Sequence, residues 1–497
     1  MVDRPVDWFQ SRMTTPDPLT LTIVLGVLST LATRLLTGLT FTTTAFYWVG
    51  WACALASARV ISGWEMMPEL TPNTAELVLK LHTGAFIGFL VAAMIGSFSK
   101  NEMQQPTLSG TNERFRISAT LENICFAVAA SVSIGQLIYR FKGGALNASD
   151  VLEVRTAFLE SNLSIGQRLL TQCSQITAAV PALFALEDAQ EGKVRVKRMA
   201  IFFAIIGLGG LTSGGRGWIT TPVLTYLFPY LGAIDGKNPI AKAASAFWQF
   251  RYVLVAMLVL FTGILFLRSK EGTVSEKMSD QKSLPWYQRD LGVEPILAYF
   301  GTPTCAMSAY ADMVEPWAPT YGGMSLGWFA GNLAKIGVYP RFYSDEYLVD
   351  GREYIRTNVD YRIASTHATL VPRLVADAGR EGLLWAMAGL ALLCELLYVT
   401  QRNRGFIPHL IAATCVQFGG FWVQQDLMLF AGGIILPIFW AWVFMRFFGD
   451  TLKDPASEPI LPIQAVDSGT HVYPKIRNPL LRERLMQRMR NNRRGLL

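Results

Sequence analysis

The sequence has 497 residues, of which 51% are hydrophobic and 16% charged, with a formal net charge of +7. Soluble globular proteins carry about 25% charged residues, and the mean hydropathy here is +0.30, so composition argues against a soluble globular class. Repeated apolar runs of about 18 or more residues predict an all-α polytopic membrane protein, and the short alternating segments of a transmembrane β-barrel are not seen. The basic residues gather between the runs and in the tail, which is how charge sorts across a bilayer. Nucleic acid is therefore not an expected partner.

In chain order, Asp3, Arg4, Asp7, Arg12 and Asp17 precede the first apolar run. They do not form the basic, apolar, small-residue pattern of a cleaved leader, so the first span is expected to stay in place. Spans are predicted near 19–37, 42–62, 77–98, 117–139, 163–186, 199–213, 217–232, 250–267, 380–399, 406–423 and 428–447, eleven in all with a range of 10–12. Arg34 and the short TGLT sequence leave little room for a turn between the first two. The predicted organisation is N-terminal transmembrane helices over 1–267, a polar external loop over 268–379, further transmembrane helices over 380–449 and a basic tail over 450–497.

Orientation follows from Lys and Arg in short loops. Lys193, Arg195, Lys197 and Arg198 form a dense basic loop, read as cytoplasmic. Lys237, Lys242, Arg402, Arg404 and the arginine-rich tail fall on the same side if the spans alternate. Arg140 and Lys142 then fall outside, against the rule, and the loop over 268–379 lies outside as well. The tail is either a helix lying on an anionic leaflet or a disordered basic segment.

Among six cysteines only Cys305 lies outside an apolar span, and CxxC pairs do not occur, so thiol–zinc chemistry is not expected. His82 is expected to open one span and His409 another, and His471 lies in the tail. His367, beside the external loop, is the candidate general base, since imidazole titrates near neutrality. Its plain alternative is a residue of a helix start. Four scattered histidines predict neither a metal site nor a metal cofactor.

Arg216 stands in SGGRG between two apolar runs, where glycines permit close backbone approach. An Arg at membrane depth costs roughly 2.5–3.5 kcal/mol and calls for an anionic partner; the alternative is a tight turn whose Arg reaches the interface. Arg168 either faces the same cavity or pairs with an acid such as Asp426. Glu395, deep in ALLCELLYV, reads as structural or as paired with a basic neighbour. After Ser365 or Thr366 as cap, a helix is expected to run through Pro372 with a kink. Along it Arg373, Asp377 and Arg380 stand at i, i+4 and i+7 and share a face. That stripe suits a diphosphate or an internal salt-bridge ladder.

SGGRGWITTPVLTYL, followed one helix later by a long external loop, resembles the oligosaccharide repeat-unit polymerases, the O-antigen polymerase (Wzy-type) family. The loop carries Tyr321-Gly322-Gly323, then Thr366 to Thr369, then Asp377-Ala378-Gly379 with Gly382, with Ala378 standing where the family has Phe. The resemblance covers about 200–450. It implies a GT-C-like helical bundle and a glycosyltransferase without an organic cofactor. Its substrates would be a polyprenyl-diphosphate-linked glycan donor and a lipid-linked repeat-unit acceptor, and a chain-length regulator protein is a further implied partner. Under this resemblance Arg216, Arg168, Arg373 and Arg380 would hold the diphosphate, and His367 or Asp377 would serve as base. Tyr310, Trp317, Tyr321, Trp328 and Tyr361 would offer sugar-binding faces or pack the loop on the bilayer. A glycan ligase, a lipid-linked glycan flippase and an ion-coupled transporter are the competing classes.

Overall fold

The computed structural model describes residues 17–61, 72–98, 113–142, 179–213, 217–235, 238–269, 294–305, 307, 311, 370–402, 406–421 and 436–453. Met1–Leu452 forms one compact unit and Lys453–Leu497 a second; all helices described here belong to the first. They are α1 (Pro18–Thr37), α2 (Thr43–Ile61), α3 (Pro72–Phe98), α4 (Ala119–Lys142) and α5 (179–191). There follow α6 (Val196–Ser213), α7 (Gly217–Ile234), α8 (Pro239–Ser269), α9 (Glu294–Cys305), α10 (Val371–Gln401), α11 (Phe406–Phe421) and α12 (Leu436–Phe448). Two short strands, β1 (Glu113–Ile117) and β2 (Gly449–Lys453), pair with each other beside this helical assembly.

Among the described residues, three helices are long and apolar enough to cross a membrane: Pro18–Thr37, Thr74–Phe98 and Val371–Gln401. α1 shows why this chain is a membrane protein. Its inward face is small and polar, with Thr22, Gly26, Ser29, Thr33 and Thr37 buried. Its outward face is Ile23, Val24, Val27, Leu28, Leu31 and Leu35, all at least half exposed. Water would reverse that arrangement; lipid permits it, because small residues let helices approach while large apolar ones meet acyl chains. Asp17 caps the helix through the Thr20 N–H at 3.2 Å. Gly38 ends it in the left-handed region (φ 77°), donating to the Arg34 carbonyl.

α3 and α10 pack along most of their length and run parallel. Lys80 meets Glu381 at 2.8 Å. A Cβ on Gly84 would stand 2.2 Å from the Leu384 carbonyl oxygen, and one on Gly88 2.2 Å from that of Ala388. Gly84, Gly88, buried Ala92 and Gly96 recur every four residues, the small-residue stripe that brings two helix backbones together in lipid. α2 runs opposite, with Tyr47 against Phe89 at 5.3 Å and Trp51 against His82 at 5.3 Å. Ser133 of α4 donates to the Ile205 carbonyl of α6 at 2.7 Å. Ile117 at the foot of α4 donates to Glu187 at the end of α5 at 3.1 Å.

These contacts make successive helices alternate in direction. Thr37, Thr43, Glu187, Arg198, Asp235, Arg402 and His409 share one end, called here the basic end. Asp17 and Arg59 (3.3 Å apart), Lys80 and Glu381 mark the other. α9 packs there too, its Cys305 Sγ donating to the Ala58 carbonyl at 3.7 Å. Each range in which a span is predicted contains helix among its described residues.

Several expectations change. The stretch expected as loop over 268–379 holds helix at 294–305 and from Val371 onward. Cys305, expected outside the apolar spans in the external loop, is fully buried at the end of α9. His82, expected to open a span, lies ten residues inside α3 and is fully buried.

Candidate functional site

At the basic end, two carboxylates organise the chain around the turn between α1 and α2. Asp235 follows the last residue of α7 and accepts from the backbone N–H groups of Thr40 (3.0 Å) and Phe41 (3.0 Å) and from the Tyr398 hydroxyl (3.0 Å). Arg402 lies 3.5 Å from its carboxylate and donates to its carbonyl at 2.7 Å. Burial pushes the Asp235 carboxyl above the usual range, and Arg402 with the two backbone donors acts the other way. Glu395, fully buried, accepts from the Thr44 N–H at 3.0 Å. The first N–H groups of a helix have no partner within it, so Glu395 caps α2 from α10, where the helix dipole favours an anion. Of the two readings the sequence left open, structural or paired with a basic neighbour, this contact is the structural one. The ring nitrogens of His409 lie 2.9 Å from the carbonyl oxygens of Arg402 and Pro229. They tie α11 to α10 and α7.

The basic loop is partly neutralised. Arg198, nearly buried, pairs with Glu187 (2.5 Å) and Asp188 (2.7 Å) and lies over the Phe184 ring at 4.1 Å. Arg195 shares Glu187 at 2.6 Å, and Tyr226 donates to Asp188 at 2.9 Å. Burial raises the Asp188 carboxyl above its ordinary value, and Arg198 opposes this. Lys193 and Lys197 stay exposed.

At the opposite end α10 is broken. Gly379 has φ 73° and ψ 169°, a conformation that side-chain-bearing residues avoid. The first piece carries Val371, Leu374 and Val375 into the core beside Met307 and Ala311. Asp377 is buried in it, and Arg373 and Arg380 are half-buried on either side of it in the chain. Arg373 and Asp377 share one helical turn, but the break at Gly379 removes Arg380 from the continuous face that its spacing predicts. None of the three is without a partner. Guanidinium groups at a helix entry can hold a phosphate, and a carboxylate there can receive a proton.

Between the two ends lies a buried aromatic cluster. The Tyr47 hydroxyl sits 2.9 Å from His82 Nδ1, and the rings of Trp48 and Trp51 lie 5.1 Å and 5.3 Å from the imidazole. His82 Nε2, Trp48 Nε1 and Trp51 Nε1 are buried without hydrogen-bond partners. The sequence gives no spacing that announces this cluster, because α2 and α3 contribute through their crossing.

Of the residues expected at the site, Asp377, Arg373 and Arg380 fall in described structure. Arg216, Arg168, His367, Tyr310, Trp317, Tyr321, Trp328 and Tyr361 lie outside the described residues, as does the tail beyond 453. The pairing of Asp235 with Arg402, 167 residues apart, was missed, since only the fold joins the two. Fold and site together define a helical membrane protein with a charged, carboxylate-anchored end and a broken-helix end. No family model, curated protein or solved structure matches the chain.

Proposed function

We propose that the protein is a membrane glycosyltransferase that polymerises polyprenyl-diphosphate-linked oligosaccharide repeat units into a polysaccharide. The setting is the outer face of a cell inner membrane, with about eleven spans in a GT-C-like arrangement. The observation that carries this reading is the helix break at Asp377-Ala378-Gly379. It lies at the family-like segment of the sequence, at the end away from the basic loop, and the buried Asp377 has Arg373 before it and Arg380 after it in the chain.

In the proposed reaction a hydroxyl oxygen of the acceptor sugar attacks the anomeric carbon of the donor. The bond from that carbon to the diphosphate oxygen breaks, and polyprenyl diphosphate leaves with the bonding pair. The hydroxyl proton passes to His367 or Asp377. Arginines, Arg216 first, neutralise the leaving diphosphate bidentately in a site of lowered dielectric. The aromatic loop residues stack on the sugars. A lipid diphosphate already leaves readily, so the arginines suffice without a metal.

The test is a ladder assay with purified protein and lipid-linked repeat units, with EDTA present. The expected product is a ladder that Arg216→Ala lowers by roughly 10²–10³-fold at normal protein level, since an unpaired buried charge costs about 3–5 kcal/mol. His367→Ala is expected to slow growth while substrate binding survives. A ladder lost in EDTA and restored by a divalent ion rejects the metal-free mechanism. Transfer of whole glycan to a lipid acceptor without chain growth assigns a ligase instead.

A further inference from the structure

His409 of α11 is enclosed at the basic end, 1% exposed. Both of its ring nitrogens meet carbonyl oxygens at 2.9 Å, Nδ1 that of Arg402 and Nε2 that of Pro229. A carbonyl oxygen only accepts, and a neutral imidazole has one N–H and one bare lone pair. Either neutral form would therefore turn a lone pair on a carbonyl at contact distance and leave buried polar atoms unsatisfied. The two contacts are both hydrogen bonds when both nitrogens carry a proton, and the ring is then an imidazolium.

A buried charge needs compensation, and the surroundings supply it. Arg402 is the C-cap of α10, so its carbonyl is one of the groups a helix end leaves without an internal partner. That end is also the negative pole of the helix, which favours a cation. A carbonyl has two lone pairs, so that of Pro229 can accept from the ring while serving α7. Hydrogen bonds from a charged donor are roughly twice as strong as neutral ones.

The other charged and titratable groups of the packed elements are engaged elsewhere. The Arg402 guanidinium is taken up by Asp235, and so is the Tyr398 hydroxyl. Glu395 turns to the Thr44 N–H. On α7, Tyr226 and Tyr230 stack on each other at 5.8 Å. The charge on α2, Arg59, lies at the opposite end, and Arg446 of α12 is exposed. Within α11 the one other titratable group is Cys415, farther along the helix. The imidazole is also held sterically: a Cβ on Gly232 would stand 3.3 Å from its Cε1 and 3.9 Å from Tyr398 Cε2.

We propose that His409 is a proton-binding site that latches α11: as an imidazolium it donates to the Arg402 and Pro229 carbonyls together, and loss of its proton releases α11 from one of them. The packing of α11 at the basic end is thereby pH-sensitive. The site is at the end away from Asp377, and it stands whether or not the transferase reading does.

The experiment uses the full-length protein in detergent, labelled with ring-¹⁵N histidine. At about pH 7.5, where an ordinary imidazole with pKa about 6.5 is mostly neutral, one histidine is expected to show both ring nitrogens protonated. That signal is expected to vanish in His409→Gln. A wild-type spectrum without an imidazolium overturns the proposal, and this reading needs no variant. An imidazolium that persists in His409→Gln overturns it as well. The latch itself is read from melting temperature between about pH 6 and pH 9. Gln also carries two N–H donors but does not titrate. Folding favours the protonated ring, so its contribution is fully present below about pH 6.5 and is lost as the proton leaves. The wild type is therefore expected to lose a few degrees relative to His409→Gln across this range. Parallel curves overturn the latch, and so does a relative gain with rising pH, which means that the native ring is neutral.

Discussion

Gly84 of α3 lies against the backbone of α10 so closely that a Cβ would stand 2.2 Å from the carbonyl oxygen of Leu384. No flexible side chain can give way there, because the obstacle is main chain. Gly84→Leu is expected to force the two helices apart and to cost at least the roughly 1–3 kcal/mol of ordinary overpacking. Gly389, whose added Cβ would meet open space, is the control; Gly389→Ala is expected to leave stability unchanged or raise it by up to about 1 kcal/mol. Thermal unfolding of both variants in detergent decides the matter. Equal melting of Gly84→Leu and wild type would show that α3 and α10 are not packed backbone to backbone.

Arg198 neutralises two buried acids at once, Glu187 and Asp188. Arg198→Met is expected to destabilise the protein by about 3–5 kcal/mol, because it leaves the buried Asp188 with only neutral donors and Glu187 with Arg195 alone. Adding Glu187→Gln and Asp188→Asn is expected to recover much of that loss. A triple variant no better than Arg198→Met would mean that the methionine packs badly and that charge is not the cause.

What the sequence made legible, and what it did not, divides along the range of the forces involved. Membrane character and helix positions were legible because burial in lipid writes itself into runs of 18 or more apolar residues. That Lys193 and Arg402 would fall at one end of the bundle was legible from the alternation of the spans between them. The role of Arg198 did not, since a cation in a basic loop looks solvated until Glu187 and Asp188 fold over it. The break at Gly379 was hidden for a local reason: helical spacing from Arg373 to Arg380 assumes regular backbone throughout. His82 reads as an ordinary polar residue near a span boundary until α2 lays Tyr47, Trp48 and Trp51 around it.

Cys305 is buried beneath the end of α2, its thiol against the Ala58 carbonyl. In a variant keeping Cys305 as its one cysteine, a membrane-impermeant maleimide is expected to leave the native protein unlabelled and to label it after denaturation. Rapid labelling in the native state would show that α9 does not stay docked on α2. Sidedness is then read from exposed positions at the two ends. In intact cells Glu381→Cys is expected to react with the reagent and Lys193→Cys to react only after lysis. The reverse pattern inverts the orientation.

Asp235 makes stability depend on pH in a definite direction. Burial raises its folded-state pKa above that of the unfolded chain, so folding favours its protonated form. Its contribution is fully present below the ordinary carboxylate pKa of about 3.9 and is lost as pH rises through the folded-state value. Relative to Asp235→Asn, the wild type is therefore expected to lose melting temperature as pH rises from about 4 into the mildly acid range. Parallel curves for the two proteins would remove Asp235 as the source. A relative gain with rising pH would mean that Arg402 and the Thr40 and Phe41 amides outweigh burial.

The parallel pairing of α3 with α10 also has a consequence for biosynthesis. Gly84 leaves the ribosome about 300 residues before its partner Leu384, which at roughly 5–20 residues per second amounts to roughly 15–60 seconds. Through that interval the smooth glycine stripe of α3 sits in the bilayer with its natural mate unmade, open to any other helix with a small-residue face. The nascent N-terminal helices must then be sheltered by the insertion machinery, or else held by their own weak association, until α10 arrives to claim the stripe. Truncation anywhere before residue 371 would leave that face permanently unmatched and mark the fragment for membrane quality control.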